Sequence, residues 1–428
     1  MRFYVAKTPR KASIEWIDFR IMNSRIFFLF IGLLSVVQVS ARGVVVDSIS
    51  RAPLPMASIF NCRGNIVGLT DNAGRLPAVE PEDYPLTLRY MGYQSAIVNS
   101  TGADTICLRE SVYELPELTV GTGKRTVLYM SGYIREYSTL TTYTDTVVMF
   151  REKSVDFMVP GREEKKFRGW QNQRILSSRS YYKLSNNRGL DSVSDRFGRH
   201  FSWGDWVGVI KNVPIPRALS KDSVATDTIM GKYSPATIWR RSGDKITLNI
   251  NVLADTINRK WLKNLWAFNN NRTEFTALTL KYCFDNVSET ELMADNLSSI
   301  SFNIESRGRG PSLSNVFDRD EPFFVSTYVE MYITDRRFIT VKEARRLEKN
   351  LNLADNLEIK APEEAPALQQ AIGELVARVE SIDHESRRKG LKVDERIGGY
   401  KHGAPPRHGP IGSLVNMVKQ KVKKWRGY

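Results

Sequence analysis

Between Ile134 and Ile333 the chain is dominated by runs with the period-two, β-branched and aromatic character of strands. They cover Ile134–Tyr143, Thr146–Val159, Phe167–Leu184, Lys245–Val252, Thr273–Phe284, Ser299–Arg307 and Phe323–Ile333. Asp145 and the pair Pro160-Gly161 punctuate the first three as turns. Runs this long, joined by short turns, predict a large curved antiparallel sheet over residues 124–340, with one face covered.

Ahead of it lies a stretch of shorter strand signals from Arg42 to Val120. Val44-Val45-Val46 is β-branched, and Pro53 and Pro55 turn the chain after it. Ala57 and Ile59 alternate with Ser58 and Phe60, and Asp71-Asn72-Ala73-Gly74 is built from residues that tolerate a left-handed backbone. Leu86 and Leu88 lead into Tyr90-Met91-Gly92-Tyr93, while Ile106 and Leu108 supply a last inward pair. On pattern alone this is an all-β sandwich.

These segments together resemble the carboxypeptidase regulatory-like domain, a small transthyretin-like β-sandwich of Gram-negative envelope proteins, above all of the Bacteroidetes. The resemblance implies a fold and an envelope location. Zinc carboxypeptidases that carry this domain hold their metal with His-x-x-Glu and a second His. The histidines here are His200, His384, His402 and His408, and none has Glu three residues later. No metal-ligand, triad or phosphate-binding motif is found, so no cofactor is expected and the reading leans away from an enzyme. TonB-dependent receptors, which also carry the domain, follow it with a plug and a barrel too large for the residues that remain here.

The N-terminal 1–41 reads as a signal segment. Ile26–Val37 is apolar, Arg25 precedes it, and Gln38-Val39-Ser40-Ala41 follows, which predicts cleavage after Ala41 and export to the periplasm or outer membrane. Three cysteines, Cys62, Cys107 and Cys283, are too few and too scattered for a disulfide framework. Strand alternation makes them half-buried free thiols, with a Cys62–Cys107 bridge as the alternative in an oxidising compartment.

The formal charge of +15 is concentrated. Residues 387–428 hold twelve Lys or Arg against two acids, which leaves the body near neutral and gives no general nucleic-acid surface. This tail belongs to a helical arm, 341–428. Thr340-Val341-Lys342-Glu343 is a capping box that starts one helix at Val341. A second helix follows Pro366, with Leu368, Ile372, Leu375, Val376, Val379 and Ile382 on one stripe and Gly390 as its stop, and the stripe is expected to dock on the sheet, with a coil against a partner helix as the alternative. After a Gly- and Pro-rich linker, Ile411, Leu414, Val415, Val418, Val422 and Trp425 fall on one arc of a last helix, with Lys419, Lys423 and Lys424 off it. That pattern suits an anionic membrane surface or an envelope protein as partner, and equally a solvated terminal helix resting on the protein itself.

Two further sets of residues bear on function. Six tryptophans lie in the middle region, and the densest group puts Arg199, His200, Trp203 and Trp206 close together. They either pack the core of the sheet or line a groove for glycan or lipid. Seven Asp-Ser/Thr-Ile/Val triplets, from Asp47-Ser48-Ile49 to Asp255-Thr256-Ile257, resemble the O-glycosylation acceptor of Bacteroidetes envelopes, and equally fit a turn entering a strand. The leading expectation is a non-enzymatic exported envelope protein with a binding or structural role. The alternatives are an envelope hydrolase or glycan-processing enzyme with a site near His200, and a glycan or lipid carrier.

Overall fold

The structure is a computed structural model. It describes residues 43–102, 104–111, 118, 124–143, 146–184, 192–194, 203–204, 208–210, 212–219, 225–255, 273–287, 290–309, 322–349, 359–363 and 365–381. All belong to one compact unit, Gly43–Tyr428. The expected signal segment, the tail with Ile411 to Trp425, and Arg199, His200 and Trp206 lie outside the described residues.

The protein is mainly β. Residues 43–111 form a small module from β1 (Val44–Asp47), β2 (Ser58–Phe60), β3 (Ile66–Leu69), β4 (Leu86–Arg89), β5 (Ala96–Val98) and β6 (Thr105–Leu108). β1 and β6 pair in parallel, and the other four make an antiparallel sheet in the order β3-β2-β4-β5. Val45, Leu54, Ile59, Leu88, Ile106 and Leu108 close the core of the module. The expected turn is present: Asp71 Oδ1 accepts from the amides of Ala73 and Arg75, and Gly74 takes φ +74°. A Cβ at Gly74 would stand 2.5 Å from Val45 O, so glycine is required there.

The large sheet is built from β7 (Val127–Thr141), β8 (Thr146–Pro160), β9 (Trp170–Leu184), β10 (Ser192–Ser194), β12 (Ala225–Met230), β13 (Pro235–Ser242), β14 (Lys245–Asn251), β15 (Thr273–Phe284), β17 (Leu297–Arg309) and β18 (Pro322–Ile339). β11 (Val213–Pro214) and β16 (Glu291–Leu292) pair separately. The ten strands run antiparallel in the order β10-β9-β8-β7-β18-β17-β15-β14-β13-β12. Each predicted run is a strand. β7 begins seven residues earlier than expected, because Gly132 reads as a breaker yet lies within the strand, where a Cβ would stand 3.2 Å from Tyr332 O. β18 continues to Ile339 through a bulge at Ile333/Asp335.

The sheet is curved, and hydrogen bonds prove it. β9 and β15 stand five places apart, about 24 Å in a flat sheet. Yet Gly208 bridges Asn172 of β9 and its carbonyl accepts from the hydroxyl of Tyr282 on β15 at 3.4 Å. The concave face is apolar and carries Met130, Val155, Phe157, Leu248, Leu280, Phe302 and Met331. It packs against Trp203, Val209, Ile210, Leu219, Val287 and Leu292 from the connecting segments.

One expectation is corrected: the opposite face is covered too. In β2, Ile59 faces the core of the module while Ser58 and Phe60 face the large sheet, so all three residues are buried. Phe60 packs edge-on to Tyr137 and Tyr328 at 5.3 and 6.0 Å between ring centroids. Among the described residues two helices follow the sheet, α1 (Val341–Lys349) and α2 (Gln370–Glu380). The capping box is formed at the start of α1, where Thr340 N donates to Glu343 Oε2 at 2.8 Å and Glu343 N to Thr340 Oγ1 at 3.2 Å. As expected, α2 docks on the sheet, burying Ile372, Leu375 and Val379 beside Phe60, Phe150 and Tyr181. Among the described residues no helix is long and apolar enough to cross a membrane.

Because Phe60 ties module, sheet and α2 together, Phe60→Ala is expected to cost about 3–5 kcal/mol. Chemical denaturation of the full chain measures this, and the loss is expected in the stability of the sheet as well as the module.

Candidate functional site

Among the described residues, the convex face holds a dense group of chemically capable side chains. Adjacent strands place Tyr133 opposite Tyr332, Arg135 opposite Glu330 and Tyr137 opposite Tyr328. Cross-strand partners on one face stand about 5 Å apart at Cβ, so these six residues form a continuous polar and aromatic stripe. Into it the module inserts Arg89 from the end of β4.

Arg89 and Glu330 make a two-pronged ion pair, Nε to Oε1 at 2.8 Å and Nη2 to Oε2 at 3.0 Å. Both side chains are almost wholly buried, 2% and 3% exposed. Burial works against the charge of Arg89, but the Glu330 carboxylate together with Tyr137, Tyr328 and Tyr332 outweighs it, and the guanidinium is held more firmly protonated than usual. The same guanidinium lies over the Tyr137 ring, 5.1 Å from its centroid. Burial pushes the Tyr137 hydroxyl up to about 12. Tyr332 donates to Glu330 Oε2 at 3.2 Å.

The C-terminal segment completes the junction. Arg135 Nη1 donates to Pro366 O at 2.5 Å and its Nε to Tyr133 Oη at 2.9 Å, and the Tyr133 hydroxyl donates to Glu152. Gln369 Nε2 donates to Asn61 O at 2.6 Å, which ties the start of α2 to the module. Where the three parts meet, a small cleft is bordered by Arg89, Tyr90, Gly92, Ser299, Glu330 and Pro366, with room for little more than a water molecule. Nearby, Lys281 of β15 is buried under the Tyr90–Tyr93 turn, and burial pushes its amine down to about 7.

A second polar cluster interrupts the apolar concave face. Glu136, Lys153 and Arg151 are fully buried there, with Lys153 Nζ 2.9 Å and Arg151 Nη1 3.6 Å from Glu136 Oε2. Lys153 Nζ and Gln173 Nε2 both donate to Gly204 O, at 3.3 and 3.1 Å. A Cβ on Gly204 would stand 2.3 Å from Glu136 Cδ. Next to it Trp203 is 3% exposed, donates to Ser306 Oγ at 2.9 Å and packs on Phe275.

Trp203 is therefore a core residue and lines no open groove, while Trp206, His200 and Arg199 lie outside the described residues. The three cysteines are free thiols: Cys62 is half-buried, Cys107 exposed and in contact with Arg51 Nη1, and Cys283 buried, with no Cys62–Cys107 bridge. Among the described residues no three His, Cys, Asp or Glu side chains gather as a metal site. At Asp47-Ser48-Ile49 the turn geometry is present, since Asp47 Oδ1 accepts from the Ile49 and Ser50 amides. Thr105 and Thr228, in two other triplets, are exposed.

The junction residues escape a reading by motif, because Arg89 and Glu330 are 241 positions apart. One signal was available: Tyr-x-Arg-x-Tyr at 133–137 and Tyr-x-Glu-x-Tyr at 328–332 carry opposite charges at the same period-two spacing.

No protein-family model and no curated protein matches the chain. A solved structure concerned with lipid–protein interactions in lipovitellin is similar over 51% of this chain and 26% of its own, at 9% identity and a TM-score of 0.24, an overlap too slight to carry an argument.

Glu330→Gln leaves the Arg89 charge buried without its counter-ion and is expected to cost about 3–5 kcal/mol, whereas replacing both partners by methionine is expected to cost less than the single change. A double-mutant cycle by denaturant titration checks this. Gly204→Ala, which forces a methyl into the Glu136 carboxylate, is expected to lose about 1–3 kcal/mol by the same measurement.

Proposed function

We propose that the chain is a non-enzymatic, exported envelope protein with a binding or structural role. The observation that carries this reading is how the charged side chains are used. Arg89–Glu330, Arg174–Asp156 and Glu136–Lys153–Arg151 are paired with one another inside the protein, the first across the joint between module and sheet and the others between neighbouring strands of the sheet. A catalytic acid or base has to reach a substrate proton, and these groups face their own partners.

In this reading, residues 42–120 are a carboxypeptidase regulatory-like module of the transthyretin type. Two small sheets enclosing one apolar core support it. The module and the sheet form a firm body, and the helical arm ends in a basic segment that makes the outside contact, with an anionic membrane surface or an envelope protein. That contact is assigned to Ile411, Leu414, Val415, Val418, Val422 and Trp425 with Lys419, Lys423 and Lys424.

Each lysine near an anionic bilayer contributes about 1 kcal/mol. Replacing Lys419, Lys423 and Lys424 by glutamine is therefore expected to weaken binding to phosphatidylserine-containing vesicles by about 3 kcal/mol, roughly 100-fold. Sedimentation with vesicles at fixed ionic strength measures it. In cells, a chain ending at Gly409 is expected to lose its crosslinked partners and its membrane fraction, and unchanged capture and fractionation would overturn the reading.

A further inference from the structure

The Tyr90–Tyr93 turn of the module lies over β15, and one residue of that strand reaches up into it. Lys281 Nζ donates to Met91 O at 2.5 Å, and stands 3.4 Å from the centroid of the Tyr90 ring and 5.1 Å from that of Tyr93. All three partners belong to the module and none is charged. The amine is buried, and it gives up water for a carbonyl and two ring faces.

The remaining groups around it come from four places. Cys283 lies two residues on along β15, also buried, and its sulfur would meet a Cβ on Gly92 at 3.7 Å. Arg240 comes from β13 and donates to Pro53 O at 2.8 Å. Glu110 follows β6 and bridges Tyr93, and Asp47 at the end of β1 accepts from Tyr93 Oη at 2.8 Å. Asp47 is already held by the Ile49 and Ser50 amides, which with Tyr93 outweigh burial and keep its carboxyl below the usual range. Tyr90 is pushed up to about 12 by burial, and Cys283 is pushed up for the same reason. Lys281 alone of these three changes charge near neutrality.

We propose that Lys281 is a proton-controlled latch, which lets the Tyr90–Tyr93 turn close on the sheet while its amine is neutral and loosens it when the amine takes a proton. With the turn open, water reaches the amine and it behaves as an ordinary lysine of pKa 10.5; closed, the amine holds its proton only to about 7. Between those values the open state binds the extra proton, so closure strengthens as pH rises. Below about 7 both states are protonated, and closure is at its weakest and insensitive to pH. The ring faces and the Met91 carbonyl favour the charged amine, but they replace only part of its lost hydration. Each pH unit above 7 shifts the closing equilibrium up to tenfold, about 100-fold from pH 7 to pH 9.

Amide hydrogen exchange of the full chain, followed in peptides covering Tyr90–Tyr93 and β4 and corrected for intrinsic exchange, reads the closing equilibrium directly. The expected profile is flat from pH 6 to 7 and rises about 100-fold by pH 9. Lys281→Met is expected to remove the slope and keep protection high throughout. Lys281→Arg, charged at every pH tested, is expected to keep the turn loosely closed with no slope. Protection of the unaltered chain that does not change with pH would overturn the proposal, even if Lys281→Met failed to fold. A Lys281→Met or Lys281→Arg profile that retains the wild-type slope would overturn it as well.

Discussion

A sheet with two covered faces must satisfy whatever polar groups it turns away from its apolar core, and here that requirement falls on Arg89 and Glu330. Water is shut out of the convex face by the module on one side and α2 on the other. Without Arg89, the buried Glu330 carboxylate would lose its two-pronged partner, and Arg89 reaches it only when the module sits squarely on β18. The pair contributes little net stability over an apolar substitute. Its consequence is positional, because a two-pronged guanidinium–carboxylate contact tolerates little sliding or rotation.

The other contacts follow from that placement. With Arg89 seated, Phe60 falls between Tyr137 and Tyr328, Ser58 meets Asn303 at 2.7 Å, and the Tyr90–Tyr93 turn closes over Lys281. The arm then locks the edge of the module through Gln369 and Ile372. A Cβ on Gly64 would stand 3.1 Å from Ile372 Cδ1, and Gly64 lies at φ +85°, so glycine is needed there on two counts. The module is thus built in as a third layer on the sheet. The concave face is closed in a different way, by connecting segments that carry Trp203 and Gly204 onto the Glu136 cluster.

Much of the fold was legible in the sequence because its causes are local. Long alternating runs marked seven strands, Asp71 to Gly74 marked a turn, and Thr340 with Glu343 marked a helix start. β12 and β13 left little trace: Ala225–Met230 lies at the sheet edge with mostly half-exposed or exposed side chains, and Arg240-Arg241 breaks the apolar alternation of its neighbour. Edge strands are held chiefly by backbone pairing, which has no sequence signature. The tryptophan cluster was ambiguous for a related reason, since Trp203 is set in the core by Ser306 and Phe275, about a hundred and about seventy positions away.

The sequence by itself determined where most of the strands, turns and helices form, that the sheet has a covered face, and that positive charge gathers at the C-terminal end. Those properties depend on residues within a few positions of one another. Only the tertiary structure decided that Ser58, Phe60 and Arg89 face inward, that Glu330 and Lys281 are buried, and that the module and the sheet share a joint. Period-two alternation shows that a strand has two faces and which is the more polar. It cannot say whether the polar face meets water or another layer, because that depends on partners more than two hundred residues away for Arg89 and Glu330 and nearly two hundred for Lys281 and Met91.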